Sequence, residues 1–154
     1  MATSTIPAFK AALLARLQAD AALANVQVAW GVPHGELARE CVILGDARAD
    51  DPTGGRAGGQ SSAALGTRAR EERVVHELLV RVLLGASQQE ATERAFAIAA
   101  AVEDSLRGWA AASPPFGGVV RWALVTGTPL EEFPAAGGER MAIVTVEVAT
   151  AERI

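Results

Sequence analysis

The segment from Arg73 to Leu84 carries apolar side chains on two faces, and that constrains the fold more than any other stretch. Its even positions, Val74, His76, Leu78, Val80, Val82 and Leu84, form one apolar side, while its odd positions, Val75, Glu77, Leu79, Arg81 and Leu83, form a mixed one. A period of two over this length predicts a long strand, ended by Gly85. A second run, Arg39 to Asp46, places Cys41, Val42, Ile43 and Leu44 in succession, the pattern of a strand covered on both sides.

Around these runs the chain reads as alternating helices and strands. Ile6, Phe9, Leu13, Leu17 and Ala21 recur at helical spacing, with Ser4 or Thr5 as a cap and Pro7 in the first turn. Val26 to Trp30 is a short extended piece that stops at Gly31-Val32-Pro33-His34-Gly35. Ser87-Gln88-Gln89-Glu90 has the form of a capping box, followed by a helix with Ala91, Ala95, Ile98, Val102, Leu106 and Trp109 on one stripe. Ser113-Pro114-Pro115 prevents its continuation. Val119 to Thr126 and Met141 to Thr150 read as strands, with Val120, Trp122 and Leu124 on one face of the first and Val144, Val146 and Val148 on one face of the second. Residues 129–138 between them read as a loop with a turn at Gly137-Gly138. The expectation is an α+β fold: a mostly antiparallel sheet of four to five strands with two helices packed on one face. The 154 residues suit one domain, with a long flexible loop at about 47–70.

Composition removes several function classes. With 14 Lys and Arg against 18 Asp and Glu, the net charge of −4 argues against a general nucleic-acid binder. The single cysteine, Cys41, permits no internal disulfide. The longest apolar runs, such as Ala95 to Val102, fall far short of the ~20 residues of a membrane helix. Met1 to Lys10 lacks the pattern of a signal peptide, so a soluble protein made in the cytoplasm is expected.

No catalytic, cofactor or metal site is expected. His34 sits in a turn and His76 alternates with apolar residues, the pattern of a core-edge histidine with a satisfied ring. One cysteine and two separated histidines make no recognisable ligand set. The glycines of Gly54-Gly55-Arg56-Ala57-Gly58-Gly59 lack the Lys-Ser/Thr and the strand-to-helix context of a P-loop. Adjacent carboxylates such as Glu71-Glu72, Glu103-Asp104 and Glu131-Glu132 read as solvated charge. The unexplained feature is the second apolar face, with Val75, Leu79 and Leu83, which two helices on one side of the sheet would leave wet. It points to self-association or a protein partner, unless the 47–70 loop folds back over it.

Several stretches, taken in order, resemble the small tail-terminator (tail-completion) proteins of long-tailed phages and phage-derived particles. They are the opening helix Phe9-Lys10-Ala11-Ala12-Leu13-Leu14-Ala15-Arg16-Leu17, then Asp20-Ala21-Ala22-Leu23, the extended Val26-Gln27-Val28-Ala29-Trp30, Cys41-Val42-Ile43-Leu44-Gly45, the long strand before an Ala-rich helix, and the terminal strand Ile143 to Val148. The likeness lies in pattern and order over nearly the whole chain, not in an invariant motif. It implies a non-enzymatic virion protein of the tail neck, assembled in the host cytoplasm. Such a subunit forms a ring, usually a homohexamer, that caps the head-proximal end of the tail tube, stops its growth and joins it to the head connector. Implied partners are other copies of the chain, the tail tube protein and the head–tail connector or stopper protein. DNA would pass through without sequence-specific binding, and no cofactor or membrane is involved. On this reading Val75, Leu79, Leu83, Arg68 and Arg70 are candidates for the subunit interface, and Asp50, Asp51 and Arg56 for a loop facing the lumen or tube. Two alternatives stay open: another neck or tail-tube protein of the same particle, and a small ligand-binding domain or enzyme, for which the nearest polar set is His76, Glu77 and Arg81.

Overall fold

In the computed structural model, which describes residues 4–49, 71–85 and 87–153, the chain opens with helix α1 (Ile6–Ala19). Phe9, Leu13 and Leu17 form its buried stripe, and Pro7 occupies the first turn, where no helical N–H is lost. Both predicted cap residues take part in its start. Ser4 Oγ accepts from the Ile6 N–H at 3.1 Å, while Thr5 donates its backbone N–H and its hydroxyl to Glu72 Oε2, each at 2.6 Å. The helix ends before Ala21, because Asp20 turns extended and caps a separate 3-10 turn, Ala21–Leu23, by accepting from the Ala22 N–H at 2.9 Å.

The sheet runs in the order β1 (Gln27–Trp30), β2 (Glu40–Ala49), β3 (Glu71–Leu84), β6 (Arg140–Arg153), β4 (Trp122–Gly127), and β5 (Leu130–Pro134) also pairs with β6. Among the described residues only β1 and β2 run parallel; every other pair is antiparallel. The expected α+β fold is therefore present, with six strands among the described residues in place of four to five. At the centre, β3 and β6 pair without a break from Glu71 opposite Arg153 to Leu84 opposite Arg140.

Two sequence expectations need correction. Residues 129–138 were expected to form a loop, yet Leu130–Pro134 is strand β5. It lies end to end with β4 along one edge of β6, opposite 140–144, while β4 lies opposite 147–151. An edge strand uses only one of its two rows of backbone groups for the ladder, so Pro129 and Pro134 are tolerated there. The turn into β6 falls as predicted, with Gly137 and Gly138 at φ of 71° and 79°, a conformation that favours glycine. The second correction concerns β4. Val120 precedes the strand and is buried, whereas Trp122 and Leu124 point away from the core and Ala123 and Val125 pack against it.

Helix α2 (Gln88–Ala110) buries the whole expected stripe from Ala91 to Trp109. Ser87 Oγ accepts from the Glu90 N–H at 3.2 Å, the serine half of the capping box. Both helices pack on one face of the sheet, over Val42, Leu44, Leu78, Val80, Val82, Val144, Val146 and Val148. Phe9 of α1 is the hinge of this layer: its ring lies 4.6 Å from that of His76 and 5.8 Å from Trp109, which in turn meets Phe116 edge-on at 5.5 Å. Arg94 of α2 grips Glu40 of β2 with two hydrogen bonds, of 2.9 and 2.8 Å. Those bonds hold the Glu40 carboxyl below its usual range although burial opposes it.

Leu13 is fully buried between α1 and the sheet, so Leu13→Ala leaves a cavity and is expected to lower unfolding free energy by about 2–5 kcal/mol, read as a lower urea midpoint at unchanged slope.

Candidate functional site

The period-two logic of the strands divides the sheet cleanly. The helices and the Phe116 turn pack on the even side of β3, so no described helix covers the odd side. On that open face Val75 is buried, while Leu79 and Leu83 are half-buried. Register places Ile143 opposite Arg81 and Met141 opposite Leu83, and both are half-buried. Trp122, Leu124 and Phe133 extend the apolar surface across β4 and β5, with Leu124 62% exposed. The sequence pattern puts Trp122 and Leu124 on one face of their strand without showing that this face is the open one, and it gives no strand for Phe133. The parity of β4 depends on its register with β6, and β5 had been assigned to a loop. The other sequence-derived candidates, Arg68, Arg70, Asp50, Asp51 and Arg56, lie outside the described residues.

Part of the charge on the open face is paired. Glu77 and Glu147 sit directly opposite each other on β3 and β6, a repulsive cross-strand placement. Arg48 of β2 bridges them, pairing with Glu77 and with Glu147 Oε1, the latter at 2.9 Å. Gly127 belongs to the same arrangement, since a Cβ there would stand 2.8 Å from Glu147 Oε2. At the far end Arg39 pairs with Glu139. Between these groups Arg81 lies flat, donating to the Ala38 carbonyl at 3.2 Å and meeting Met141 Sδ at 3.4 Å. It also faces Cys41, whose thiol burial pushes above its usual pKa. The face is thus largely apolar, with Glu77 and Glu147 compensated by Arg48, while Glu131, opposite Ile143, is exposed.

The opposite side of the molecule has an unusual helix. The two charged residues of α1 turn inward: Lys10 Nζ donates to the Gly45 carbonyl at 2.7 Å and lies 4.9 Å from the Trp30 ring centroid, and Arg16 Nε donates to the Ser105 carbonyl at 2.9 Å. The exposed side of α1, with Ala8, Ala11, Ala15 and Gln18, therefore carries no charge. The outer side of α2 is different, with Glu93, Asp104 and Arg107.

The polar set of the enzyme alternative does not converge. His76 points into the helix-covered core, 3% exposed, while Glu77 and Arg81 lie on the open face. Only one of the two ring nitrogens of His76 is satisfied, which corrects the expected fully paired ring. Nε2 meets Thr150 Oγ1 at 3.2 Å, and Nδ1 has no hydrogen-bond partner among the described residues. The Thr150 hydroxyl is 3.3 Å from the Val74 carbonyl, to which it donates. Nε2 is accordingly the donor to Thr150, and the Nδ1 lone pair is bare. Burial, with help from Lys10 and against Glu72, pushes the His76 pKa down to about 4. His34 is exposed, as expected of a turn residue. Among the described residues no group of three His, Cys, Asp or Glu side chains could hold a metal ion. No described helix is long and apolar enough to cross a membrane.

With this geometry in hand, comparison with known proteins gives no matching family model and no matching curated protein sequence. It does give a solved structure, a chain of the "Virion of native gene transfer agent (GTA) particle", similar with a TM-score of 0.51 over 98% of this chain and 99% of that one, at 23% sequence identity. The two chains share one fold. The match runs from end to end, so the sheet with its two helices corresponds as a unit and not as a fragment.

Removing Arg48 leaves two carboxylates facing each other across the β3–β6 ladder. Arg48→Ala is expected to lower stability by about 0.5–1 kcal/mol in low salt, and Glu77→Gln in that background to recover most of it. A double-mutant cycle by chemical denaturation reads this out, and the coupling should shrink in 1 M salt.

Proposed function

We propose that this chain is a structural protein of a phage-like particle and acts as its tail terminator: a ring subunit, most simply of a homohexamer, that caps the head-proximal end of the tail tube. The observation that carries the reading is the end-to-end fold likeness to a chain of a gene transfer agent virion. The arrangement of the surfaces supports it. A largely apolar sheet face lies on one side of the subunit and the uncharged exterior of α1 on the other. When the helix side of one copy meets the sheet side of the next, the contact is heterologous, and such contacts close into rings when the rotation per subunit allows it. In that contact Leu79 and Leu83 lie centrally, with Val75 beneath them and Phe133 at the edge, and Arg68 and Arg70 are rim candidates. Asp50, Asp51 and Arg56 are assigned to the lumen or the tube. The tube protein and the head connector are the partners above and below the ring, and DNA passes through its centre. The site of action is the neck of the virion.

The same likeness fits a second reading, another neck or tail-tube protein of the same particle, because all such subunits would need lateral contacts. Position along the tail separates the two. A terminator is found once, at the head-proximal end, and added to growing tubes of purified tube protein it stops further elongation.

Light scattering and negative-stain images test the core of the proposal. The wild-type protein, alone or with tube protein, is expected to form closed rings of uniform mass. Leu79→Glu or Phe133→Glu is expected to shift it to monomer without loss of helical circular dichroism. A protein that stays monomeric with and without tube protein contradicts the proposal.

A further inference from the structure

The buried histidine has a consequence for α1 that does not depend on any assembly. His76 stands on β3 under the N-terminal half of α1, with its ring packed 4.6 Å from that of Phe9. The hydroxyl of Thr150 fixes Nε2 as the donor, so any added proton must go on Nδ1, which faces no acceptor among the described residues. A buried N–H without an acceptor, on a ring made cationic, is costly in a core of Val, Leu and Phe. The charged groups around the ring come from two elements. Lys10 of α1 disfavours the imidazolium, and Glu72 of β3 favours it. Asp46, at the irregularity of β2 between Leu44 and Ala47, acts on Lys10. The neighbours on the flanking strands, Ala47 of β2 and Val148 and Thr150 of β6, are uncharged.

We propose that His76 is an acid-operated latch for α1: neutral, it seats the Phe9 ring of the helix against the sheet, and proton uptake at Nδ1 favours the state in which α1 has lifted away. The rest of the attachment suits such a motion. Beyond its apolar stripe, α1 is held by a few identifiable polar contacts, Thr5 to Glu72, Lys10 to the Gly45 carbonyl, Arg16 to the Ser105 carbonyl and Gln18 to the Val28 carbonyl. Of these, only the Thr5 contact reaches a residue of the β3–β6 ladder, through the Glu72 side chain.

The sign follows from linkage. The closed state holds the ring neutral down to about pH 4, whereas the open state releases it to its ordinary value of 6.5. The closed state is therefore fully favoured above 6.5 and loses that advantage as pH falls toward 4. Relative to pH 7.5, the opening equilibrium should rise about tenfold at pH 5.5 and about thirtyfold at pH 5.

Hydrogen exchange of the full chain, corrected for the intrinsic pH dependence of exchange, tests this. Peptides from 6–19 are expected to lose protection about tenfold at pH 5.5, ahead of peptides from β6. His76→Leu, which fills the site without a titrating group, should abolish the excess. The ring signals of the two histidines followed by NMR give an independent readout in the wild-type protein, with His76 neutral at pH 5 while the protein is folded. The latch is overturned if the 6–19 peptides show no excess pH dependence, if His76→Leu retains it, if α1 and β6 lose protection together in one global opening, or if His76 titrates near 6.5 in the folded protein.

Discussion

Everything in the molecule hangs on the continuous ladder between β3 and β6. Fourteen residues of each strand pair in a single register, from Glu71 and Arg153 at one end to Leu84 and Arg140 at the other. Because side chains alternate across a strand, that one register fixes which residues face the helices and which face away. Leu78, Val80 and Val82 meet Val146, Val144 and Ala142 on the inner side, and a slip of one residue would send Glu77 and Arg81 into the core. The same ladder puts Glu77 against Glu147, a repulsive pair that Arg48 reconciles. It also puts His76 beside the β6 residue that sets its tautomer, Thr150. Core, open face and latch are three outcomes of one pairing.

Much of this was legible in the residues, for physical reasons. The long stripe of α2, the even face of β3 and the row Val144, Val146, Val148 are strong periodic signals whose partners lie in one core. The capping serine at Ser87 and the glycine turn at Gly137-Gly138 are local chemistry, independent of the rest of the fold. What escaped was set by tertiary contact. β5 contains two adjacent glutamates and ends in proline, and it is a strand only because β6 offers an edge beside it. The parity of β4 was misassigned for a similar reason: Val120 looks like part of the alternation but precedes the strand, and Ala123 reads as inward-facing only once Thr150 is known to lie opposite. The bare Nδ1 of His76 depends on a threonine hydroxyl 74 positions away in sequence, which no local pattern reveals.

Two surfaces remain that the core does not use. The odd side of the sheet carries Leu79, Leu83, Ile143 and Met141, with Glu77 and Glu147 compensated by Arg48, and the exterior of α1 has turned its only cations inward. A surface with neutralised charge and half-exposed aliphatic groups has little to gain from water and much to gain from a neighbour. On the proposed reading, these two surfaces of a two-layer subunit are where neighbouring copies of the chain meet.

That contact is the central claim, and a cryo-electron microscopy map of the purified oligomer tests it most directly. The account predicts a closed ring in which Leu79, Leu83 and Ile143 of each copy are buried against the adjacent one. A ring in which those side chains face solvent while the contact is made elsewhere would contradict it.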